Sequence, residues 1–373
     1  MGERPTVASI DLGALAANYA VAERLAAGRI VIAVVKADAY GHGAVEVSRR
    51  LLASGCARLA VATVAEAVGL RVAGVAAPLL VLGGVHGSEE ARIAREHRLT
   101  PVVHEPGHVS LLAEAAQGGD PWPVHLEVDT GMRRMGVAPE QARDVLTSLA
   151  SDPGLDIEGI YTHLACADEE DLGPCRQQLQ RFRELLGEAA QQGIRPALVH
   201  VANSAALLAG KALEELIPEG VNAVRPGLML YGVSPAPHLP ADLRPVMSLC
   251  SRVAQVRRIH PGEGVGYGWT WRANRSCWVA TLPIGYEDGV PWSAAHGAEV
   301  WLRGRRRPLV GRVSMDFITV DAGEGPVEIG DEAIVFGAGP PGTPTVEEAA
   351  RVAGTIPYEL LVRVGARVPR VAV

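Results

Sequence analysis

Eight short apolar runs, separated by helical patterns, occupy residues 1–235 of the chain. The runs are rich in β-branched residues and nearly all apolar, as strands of a parallel sheet buried on both faces are. They lie at 29–36, 58–63, 78–83, 100–104, 123–129, 156–163, 197–202 and 222–225. The helical patterns include 64–73, 88–97, 107–117, 138–151 and 177–192. Eight such units in succession predict a (β/α)8 TIM barrel, and a doubly wound sheet is the alternative.

A proline-rich segment, SPAPHLPADLRP at 234–245, follows the last run and predicts a linker. Beyond it, short strand patterns such as SCWVATLPIG, AEVWLRG and EAIVFG alternate with glycine-rich turns. One clear helix is predicted there, at 345–354, because Thr345 and Glu348 have the spacing of a capping box. We therefore expect an α/β chain of two domains, a barrel at 1–235 and a mostly β domain at 246–373.

Composition and charge exclude several classes of function. Hydrophobic residues make up 48% and charged residues 21%, which is typical of a folded globular protein. The formal net charge of −7 argues against nucleic acid or an anionic membrane as the main partner. Every apolar run is shorter than the ~20 residues of a membrane-spanning helix, and MGERPTVASID lacks the apolar core of a secretion signal. The five cysteines are never spaced as CxxC and the histidines show no HExxH, so we expect a cytoplasmic protein without a metal.

Only two of the 35 basic residues are lysines, Lys36 and Lys211. Lys211 lies in the polar helical pattern KALEELI, whereas Lys36 ends the apolar run IVIAVV. A lysine at the end of the first barrel strand lies on the face where barrel enzymes carry their active sites. Loss of water there favours the neutral amine, which can act as a nucleophile or as a base. The alternative is a lysine that extends from the barrel rim into water.

Groups suited to a phosphate follow several of the predicted strands. Tyr40 lies four residues after Lys36, and the two glycines behind it allow close approach of the backbone to a ligand. Ser204 follows the seventh run, and Gly227 and Leu228 follow the eighth. Barrel enzymes frequently bind phosphate with those two loops, through hydroxyl groups and backbone N–H groups. The sequence therefore predicts a phosphate-bearing cofactor.

Nine motifs, in order along the chain, resemble those of the pyridoxal-phosphate-dependent alanine racemases. They are VVKADAYGHG, HLEVDTGMRRMG, YTHLACAD, HVANSAA, VRPGLMLYG, GVGYGWTW, PIGYEDG, GRVSMDF and TIPYEL. The resemblance extends over both predicted domains. It implies that the chain interconverts L- and D-alanine with pyridoxal 5′-phosphate, as a homodimer with shared active sites, and supplies D-alanine for peptidoglycan.

The resemblance also implies roles for individual residues around the cofactor. Lys36 would hold pyridoxal phosphate as a Schiff base and act as a base on one face of the substrate. The cofactor-binding residues implied are Lys36, Tyr40, His163, Ser204, Arg225, Gly227, Leu228 and Tyr358. Arg225 would donate to the pyridine nitrogen. Because arginine stays protonated, that nitrogen would stay unprotonated, which weakens electron withdrawal and limits side reactions.

Other residues are implied to act on the substrate. Tyr267 would be the second base, reaching the active site of the other subunit, with help from positive charge or hydrogen bonds that the sequence does not identify. Arg134 would lie near the substrate carboxylate. Met315 and Tyr286 would border the substrate pocket of the other subunit and favour a methyl side chain, and Asp316 is expected to support them.

Glu127 departs from the family pattern. Most members have at this position a lysine that becomes carbamylated and orients the arginine. Our hypothesis is that Glu127 supplies the same negative charge to Arg134, through a bridging water if its shorter reach requires one. The alternative is that Glu127 contacts Arg133 and has no part in catalysis.

Three other functions remain open on the sequence. The first is a racemase that also accepts serine or larger amino acids. The second is a pyridoxal-phosphate decarboxylase of the same architecture, which needs a catalytic cysteine that we do not find in a matching motif. The third is a pyridoxal-phosphate carrier without enzymatic activity, which resembles the barrel alone, so the predicted second domain argues against it.

Overall fold

The structure is a computed structural model that describes residues 4–239 and 241–373. Two interpretations of the sequence rest partly on residues outside these ranges: the N-terminal segment includes residues 1–3, and the predicted linker includes Pro240. Within the described ranges, no helix combines the length and the apolar character needed to cross a membrane.

Eight parallel strands close into a barrel, as predicted. We number the strands along the chain from β1 at Val7–Ile10, which lies outside the barrel. The barrel strands are β2 Ile30–Val34, β3 Arg58–Val61, β4 Leu79–Val81, β5 Thr100–Val103, β6 Trp122–Glu127, β7 Leu155–Tyr161, β8 Leu198–Ala202 and β9 Ala223–Val224. Each overlaps one of the predicted runs. The alternative of a doubly wound sheet is wrong, because β9 pairs with β2 and closes the ring.

Helices alternate with the barrel strands, with Leu12–Ala26 before β2 and the others after barrel strands. They are Leu12–Ala26, Ala44–Ala53, Val64–Val72, Ser88–Glu96, Gly107–Ala116, Pro139–Ser151, Gly173–Gln191, Ser204–Leu208 and Lys211–Glu214. The five predicted helical patterns are confirmed. The last of them begins earlier than predicted, at Gly173, because Pro174 fits the first turn, where its missing N–H is not needed. The helix Leu12–Ala26 was not predicted, and Asp11 caps it by accepting the N–H of Ala14 at 2.8 Å.

The second domain is mostly β, as predicted. Its strands are β10 Met247–Arg252, β11 Gln255–Ile259, β12 Gly264–Val265, β13 Trp271–Arg272, β14 Cys277–Leu282, β15 Glu299–Leu302, β16 Arg305–Pro308, β17 Ile318–Gly323, β18 Glu332–Phe336 and β19 Arg370–Ala372. They form a six-stranded sheet in the order β16-β15-β18-β10-β1-β19, a three-stranded sheet β11-β14-β17 and a two-stranded sheet β12-β13. Single 3-10 turns lie at Leu228–Tyr231, Tyr267–Trp269, Tyr286–Asp288 and Trp292–Ala295.

Two helices complete this domain. The helix Val346–Ala353 begins with the predicted capping box, in which Thr345 and Glu348 accept each other's backbone N–H. A second helix, Pro357–Val362, was not predicted; it lies within the TIPYEL motif and carries Tyr358.

The N-terminal strand β1 connects the two ends of the chain. It pairs antiparallel with β10 and parallel with β19, where Ala8 lies opposite Arg370. The first strand of the chain therefore belongs to the sheet of the second domain, although the sequence placed it with the barrel. One continuous core of buried apolar side chains extends from the barrel into this sheet.

Candidate active site

A cavity of about 440 Å³ opens where the barrel strands end. This volume is within the usual range for sites that bind small molecules. Ten of the residues singled out in the sequence line it: Lys36, Tyr40, Glu127, Arg134, His163, Ser204, Arg225, Gly227, Leu228 and Tyr358. Nine of these come from segments at or after the ends of β2, β6, β7, β8 and β9, whereas Tyr358 enters from the second domain. The structure thus gathers most of the expected site at one mouth of the barrel.

A left-handed turn presents Lys36 to this cavity. Residues 37–40 have φ angles between +51° and +55°, although none of them is glycine. This conformation costs L-residues about 1–2 kcal/mol each. Glu66 holds the turn from outside, because its carboxylate accepts the N–H of Ala37 at 2.8 Å and that of Ala62 at 2.7 Å. Strain that is held by surrounding contacts in this way is characteristic of functional sites.

Replacing Glu66 by alanine is expected to lower the free energy of unfolding by about 1–3 kcal/mol, because backbone donors lose their acceptor. Urea unfolding followed by circular dichroism measures the change. Glu46→Ala is the matched control, since Glu46 is exposed in the helix Ala44–Ala53 and forms an ion pair with the exposed Arg49. Equal losses in the two variants would show that Glu66 does not hold the turn.

The amine of Lys36 lies in surroundings that favour its neutral form. Burial lowers the pKa of Lys36, and the nearby positive charge of Arg134 lowers it further, while Glu66 opposes the shift. The side chain is half-buried and lines the cavity. This agrees with a nucleophile or base rather than with a lysine extended into water.

The groups expected to bind phosphate lie together on one wall of the cavity. The Ser204 hydroxyl accepts the N–H of Gly227 at 2.9 Å. A Cβ atom on Gly227 would lie 2.4 Å from the hydroxyl oxygen of Tyr40, so only glycine lets the tyrosine occupy this position. The ring of Tyr358 lies 6.3 Å from that of Tyr40, and burial raises the pKa of Tyr358 to about 12. Burial raises the pKa of Tyr40 as well, so both phenols are protonated at neutral pH and can donate hydrogen bonds.

The first glycine after Tyr40 lies against the second domain. The two glycines were expected to allow the backbone to approach a ligand, and that expectation stays a prediction. A Cβ atom on Gly41 would lie 2.2 Å from the carbonyl oxygen of Leu361, in the helix Pro357–Val362, whereas a Cβ atom on Gly43 would have nothing within 4 Å. Gly41 therefore allows the lysine-bearing turn to pack against the second domain.

Arg225 is buried at the centre of the site and contacts three acceptors. Its guanidinium donates to Nδ1 of His200 at 2.5 Å and to the carbonyl oxygen of Thr162 at 3.0 Å, and it lies 3.3 Å from Nδ1 of His163. Burial and the charges of Arg225 and Arg134 lower the pKa of His163 to about 3. The imidazole of His163 is therefore neutral beside the arginine.

Glu127 contacts neither of the two arginines considered in the sequence. Its carboxylate accepts the hydroxyl of Tyr161 at 2.8 Å, and Nδ1 of His104 lies 3.2 Å from the same oxygen. Arg133 pairs instead with Asp129, at 3.6 Å, so the alternative of a contact between Glu127 and Arg133 is wrong. The structure also has no direct ion pair between Glu127 and Arg134.

Tyr161, His200 and His104 were not identified from the sequence. Each is a polar residue at the end of, or within, an apolar barrel strand segment, and each is buried. Their position in the sequence could have identified them. A polar side chain in an otherwise apolar barrel strand is buried, and buried polar groups almost always have a hydrogen-bond partner.

Four predicted residues do not line this cavity. Tyr267, Tyr286, Met315 and Asp316 all lie in the second domain, and the first three are exposed, Tyr267 by 69% of its surface. The Tyr286 and Met315 segments are adjacent, because the N–H of Tyr286 donates to the carbonyl oxygen of Ser314 at 3.0 Å. Asp316 pairs with Arg367 at 2.8 Å.

These exposed residues belong to a set that we call the aromatic patch. Its members are Tyr267, Trp269, Tyr286, Met315 and Phe317. The segments that carry them are neighbours, because a Cβ atom on Gly266 would lie 3.6 Å from the backbone nitrogen of Arg312 and the N–H of Tyr286 donates to Ser314. Exposed apolar side chains on neighbouring segments are characteristic of an interaction surface.

Two family models together cover nearly the whole chain. The model described as alanine racemase, N-terminal domain, matches residues 10–235. The model described as alanine racemase, C-terminal domain, matches residues 246–372.

Similar proteins and solved structures bear the same description. An alanine racemase of Sorangium cellulosum (strain So ce56) is 41% identical over 382 residues, covering 98% of this chain and 98% of the relative. An alanine racemase of Thermobifida fusca (strain YX) is 40% identical over 369 residues, covering 98% and 97%. A crystal structure of alanine racemase from D-cycloserine-producing Streptomyces lavendulae matches with a TM-score of 0.93 at 35% identity, covering 100% of this chain and 98% of that one. The Bacillus anthracis enzyme with bound L-Ala-P gives 0.90 at 35% identity, covering 100% and 96%.

Proposed function

The chain belongs to the alanine racemase family and is an isomerase, and from that premise we propose how it interconverts L- and D-alanine. Pyridoxal phosphate is held at Lys36, and Tyr267 of a second copy of the chain completes the active site. One observation carries the proposal. Lys36, Arg134 and Arg225 line the same cavity as Tyr40, Ser204 and Gly227, the groups expected to bind phosphate.

The residues of the cavity fit pyridoxal phosphate. The hydroxyl groups of Tyr40 and Ser204 and the backbone around Gly227 suit the phosphate, and Arg225 suits the ring nitrogen. The close packing of Tyr40 over Gly227 is the observation that favours this fit, because it leaves a phenol hydroxyl at the wall of the cavity. When bound, the cofactor withdraws electron density from the α-carbon of the substrate and makes its hydrogen acidic.

Lys36 and Tyr267 then exchange protons with the two faces of the α-carbon. Nζ of Lys36 is suited to one face, since burial and Arg134 favour the neutral amine that can accept a proton. Arg134 also provides a cation for the substrate carboxylate. Racemisation requires that each base alternates with its conjugate acid, so a proton is removed on one face and delivered on the other.

The position of Tyr267 supports a shared active site. Tyr267 does not line the cavity of its own chain, and it is largely exposed within the aromatic patch. A second copy packed on that patch would bury it and would bring the tyrosine to the neighbouring cavity. A Cβ atom on Gly268, the next residue, would lie 3.6 Å from Cζ of Arg312, so this guanidinium lies near the Tyr267 segment.

The alternatives lack support of this kind. No cysteine is among the described residues that line the cavity, which argues against the decarboxylase. Tyr358 reaches the cavity from the second domain, which a carrier made of the barrel alone does not have. We propose that Tyr286 and Met315 of the second copy limit the substrate side chain and favour a methyl group.

The cellular role follows from the reaction. D-Alanine is a component of peptidoglycan, and we propose that the chain supplies it in the cytoplasm. The five free cysteines of the described residues suit such a reducing compartment.

Circular dichroism of the purified protein with L-alanine and pyridoxal phosphate tests the activity. We expect the optical signal to decay to zero, and borohydride treatment to fix the cofactor on the peptide that contains Lys36. Cofactor fixed at Lys36 without decay of the signal would contradict the racemase proposal, and L-serine and amine release would then be measured.

A further inference from the structure

We propose that Glu127 and His104 form a positioning pair for Arg225 and act on it through the ring of Tyr161. The proposal rests on the proposed function, in which Arg225 donates to the cofactor ring. It gives Glu127 a different task from the one that the sequence suggested, which was to orient Arg134.

Arg225 is a buried cation without a carboxylate of its own. It is 3% exposed, and among the ion pairs of the described residues none includes it. Its polar contacts are the backbone carbonyl of Thr162 and the neutral rings of His163 and His200, whose pKa values burial and Arg225 lower. A buried charge without compensation is costly. Arg225 therefore depends on negative charge that does not contact it directly, and this charge affects its orientation.

Tyr161 lies between Arg225 and the nearest acidic group of the site. Its ring centroid is 4.4 Å from Cζ of Arg225, and the ring stacks on His200 at 4.7 Å with an angle of 14°. Its hydroxyl donates to Glu127 at 2.8 Å, and burial keeps the pKa of Tyr161 well above its usual value, so the donor proton stays in place. A phenol that donates to a carboxylate has a more electron-rich ring, which strengthens the attraction of the guanidinium.

His104 lies on the other side of the carboxylate. Its Nε2 lies 2.9 Å from the carbonyl oxygen of Leu82, which can only accept, so Nε2 carries a proton. Its buried Nδ1 has no hydrogen-bond partner among the described residues, and it lies 3.2 Å from the carboxylate of Glu127. The imidazole of His104 therefore packs against the carboxylate and limits its orientation.

The charge state of Glu127 agrees with this arrangement. Burial alone would raise the pKa of its carboxyl group, but His104 and Tyr161 outweigh burial and hold that pKa below its usual value. The ionised Glu127 therefore belongs to a continuous row of contacts, His104–Glu127–Tyr161–Arg225, along the wall of the cavity.

Three variants separate the steps of this row. Glu127→Gln removes the charge, Tyr161→Phe removes the hydroxyl but keeps the ring, and both are combined in a double variant. Glu105→Gln is the matched control, because Glu105 follows His104 directly, is exposed, and does not line the cavity. The dissociation constant of pyridoxal phosphate is measured by adding it to the cofactor-free protein.

We expect each single variant to bind the cofactor about tenfold more weakly, and the double variant about as weakly as either single one, because both changes interrupt the same row. The control should bind as the parent does. Independent, multiplied effects of the two changes would overturn the proposal. So would an increased KM for alanine with unchanged cofactor affinity in Glu127→Gln, which would mean that Glu127 acts on Arg134.

A variant of His104 provides a second test of the pair. If Glu127→Gln does not fold, His104→Gln replaces it in the same titration of the cofactor-free protein with pyridoxal phosphate, and we expect it to weaken cofactor binding equally. A folded His104→Gln protein that binds the cofactor as the parent does would overturn the part of His104 in the pair.

The two proposals fail in different ways. A parent protein that does not bind pyridoxal phosphate or racemise alanine would contradict the proposed function. A parent that does both, with variants indistinguishable from Glu105→Gln, would contradict the positioning pair alone.

Discussion

Lys36→Ala is expected to abolish racemisation, with a decrease in kcat/KM of at least about 10⁴-fold, because one change removes both the covalent attachment and one of the two bases. The loss should appear as a constant circular dichroism signal of L-alanine, and borohydride should no longer fix the cofactor to the protein. The chain offers an unusually clean control, since Lys211 is its only other lysine. Lys211→Ala, in a short exposed helix, is expected to leave both readings at the parental level.

The opposite result would be informative. Racemisation retained in Lys36→Ala would place the cofactor elsewhere. The shift in the pKa of Lys36 and its half-buried place in the cavity would then have another cause.

A mixture of two inactive variants is expected to recover activity. Tyr267→Phe should lower kcat by about 10²–10⁴-fold, as loss of a catalytic acid–base does. If Tyr267 serves the cavity of the second copy, a mixed dimer of Lys36→Ala and Tyr267→Phe chains has one site with both residues intact. Since half of the dimers are mixed after free exchange, about a quarter of the parental activity should return.

The measurement requires that subunits exchange before the assay. The variants are mixed after dilution or mild urea, and gel filtration confirms that dimers have formed again. Each variant taken alone through the same treatment is the control. Full exchange without recovery would mean that Lys36 and Tyr267 act within one chain, and the exposure of Tyr267 would then need a different explanation.

The barrel was predictable because each of its strands is buried on both faces and carries its own local signal. Lys36 was predictable for the same reason, since a charge at the end of an apolar run stands out. The helix Leu12–Ala26 and the strand β1 were not, because an alanine-rich helix and a strand of four residues give weak periodicity. The pairing partners of β1 also lie about 240 and 360 residues further along the sequence, where no local pattern connects them.

Within the site, the sequence indicated ten of the residues that line the cavity but not what they contact. Glu127 illustrates the difference. Its position implied a negative charge near Arg134, whereas its contacts with Tyr161 and His104 depend on where three separate strand segments end around the barrel. The left-handed turn at residues 37–40 has no glycine to indicate it, because contacts with Glu66 and the second domain impose that conformation. The roles of Tyr267, Tyr286, Met315 and Asp316 remain predictions.

The place of β1 has a consequence for synthesis on the ribosome. β1 leaves the ribosome before the barrel strands, and its antiparallel partner β10 follows only about 240 residues later. At about 5–20 residues per second, β1 waits roughly 10–50 s, while the whole barrel emerges. During that interval the backbone N–H and C=O groups of β1 have no strand to pair with. A chaperone and a neighbouring nascent chain can both bind this unpaired strand edge. A chaperone that binds nascent chains should therefore raise the yield of native protein during synthesis. The same chaperone should have a smaller effect on the yield when the released, full-length chain is refolded.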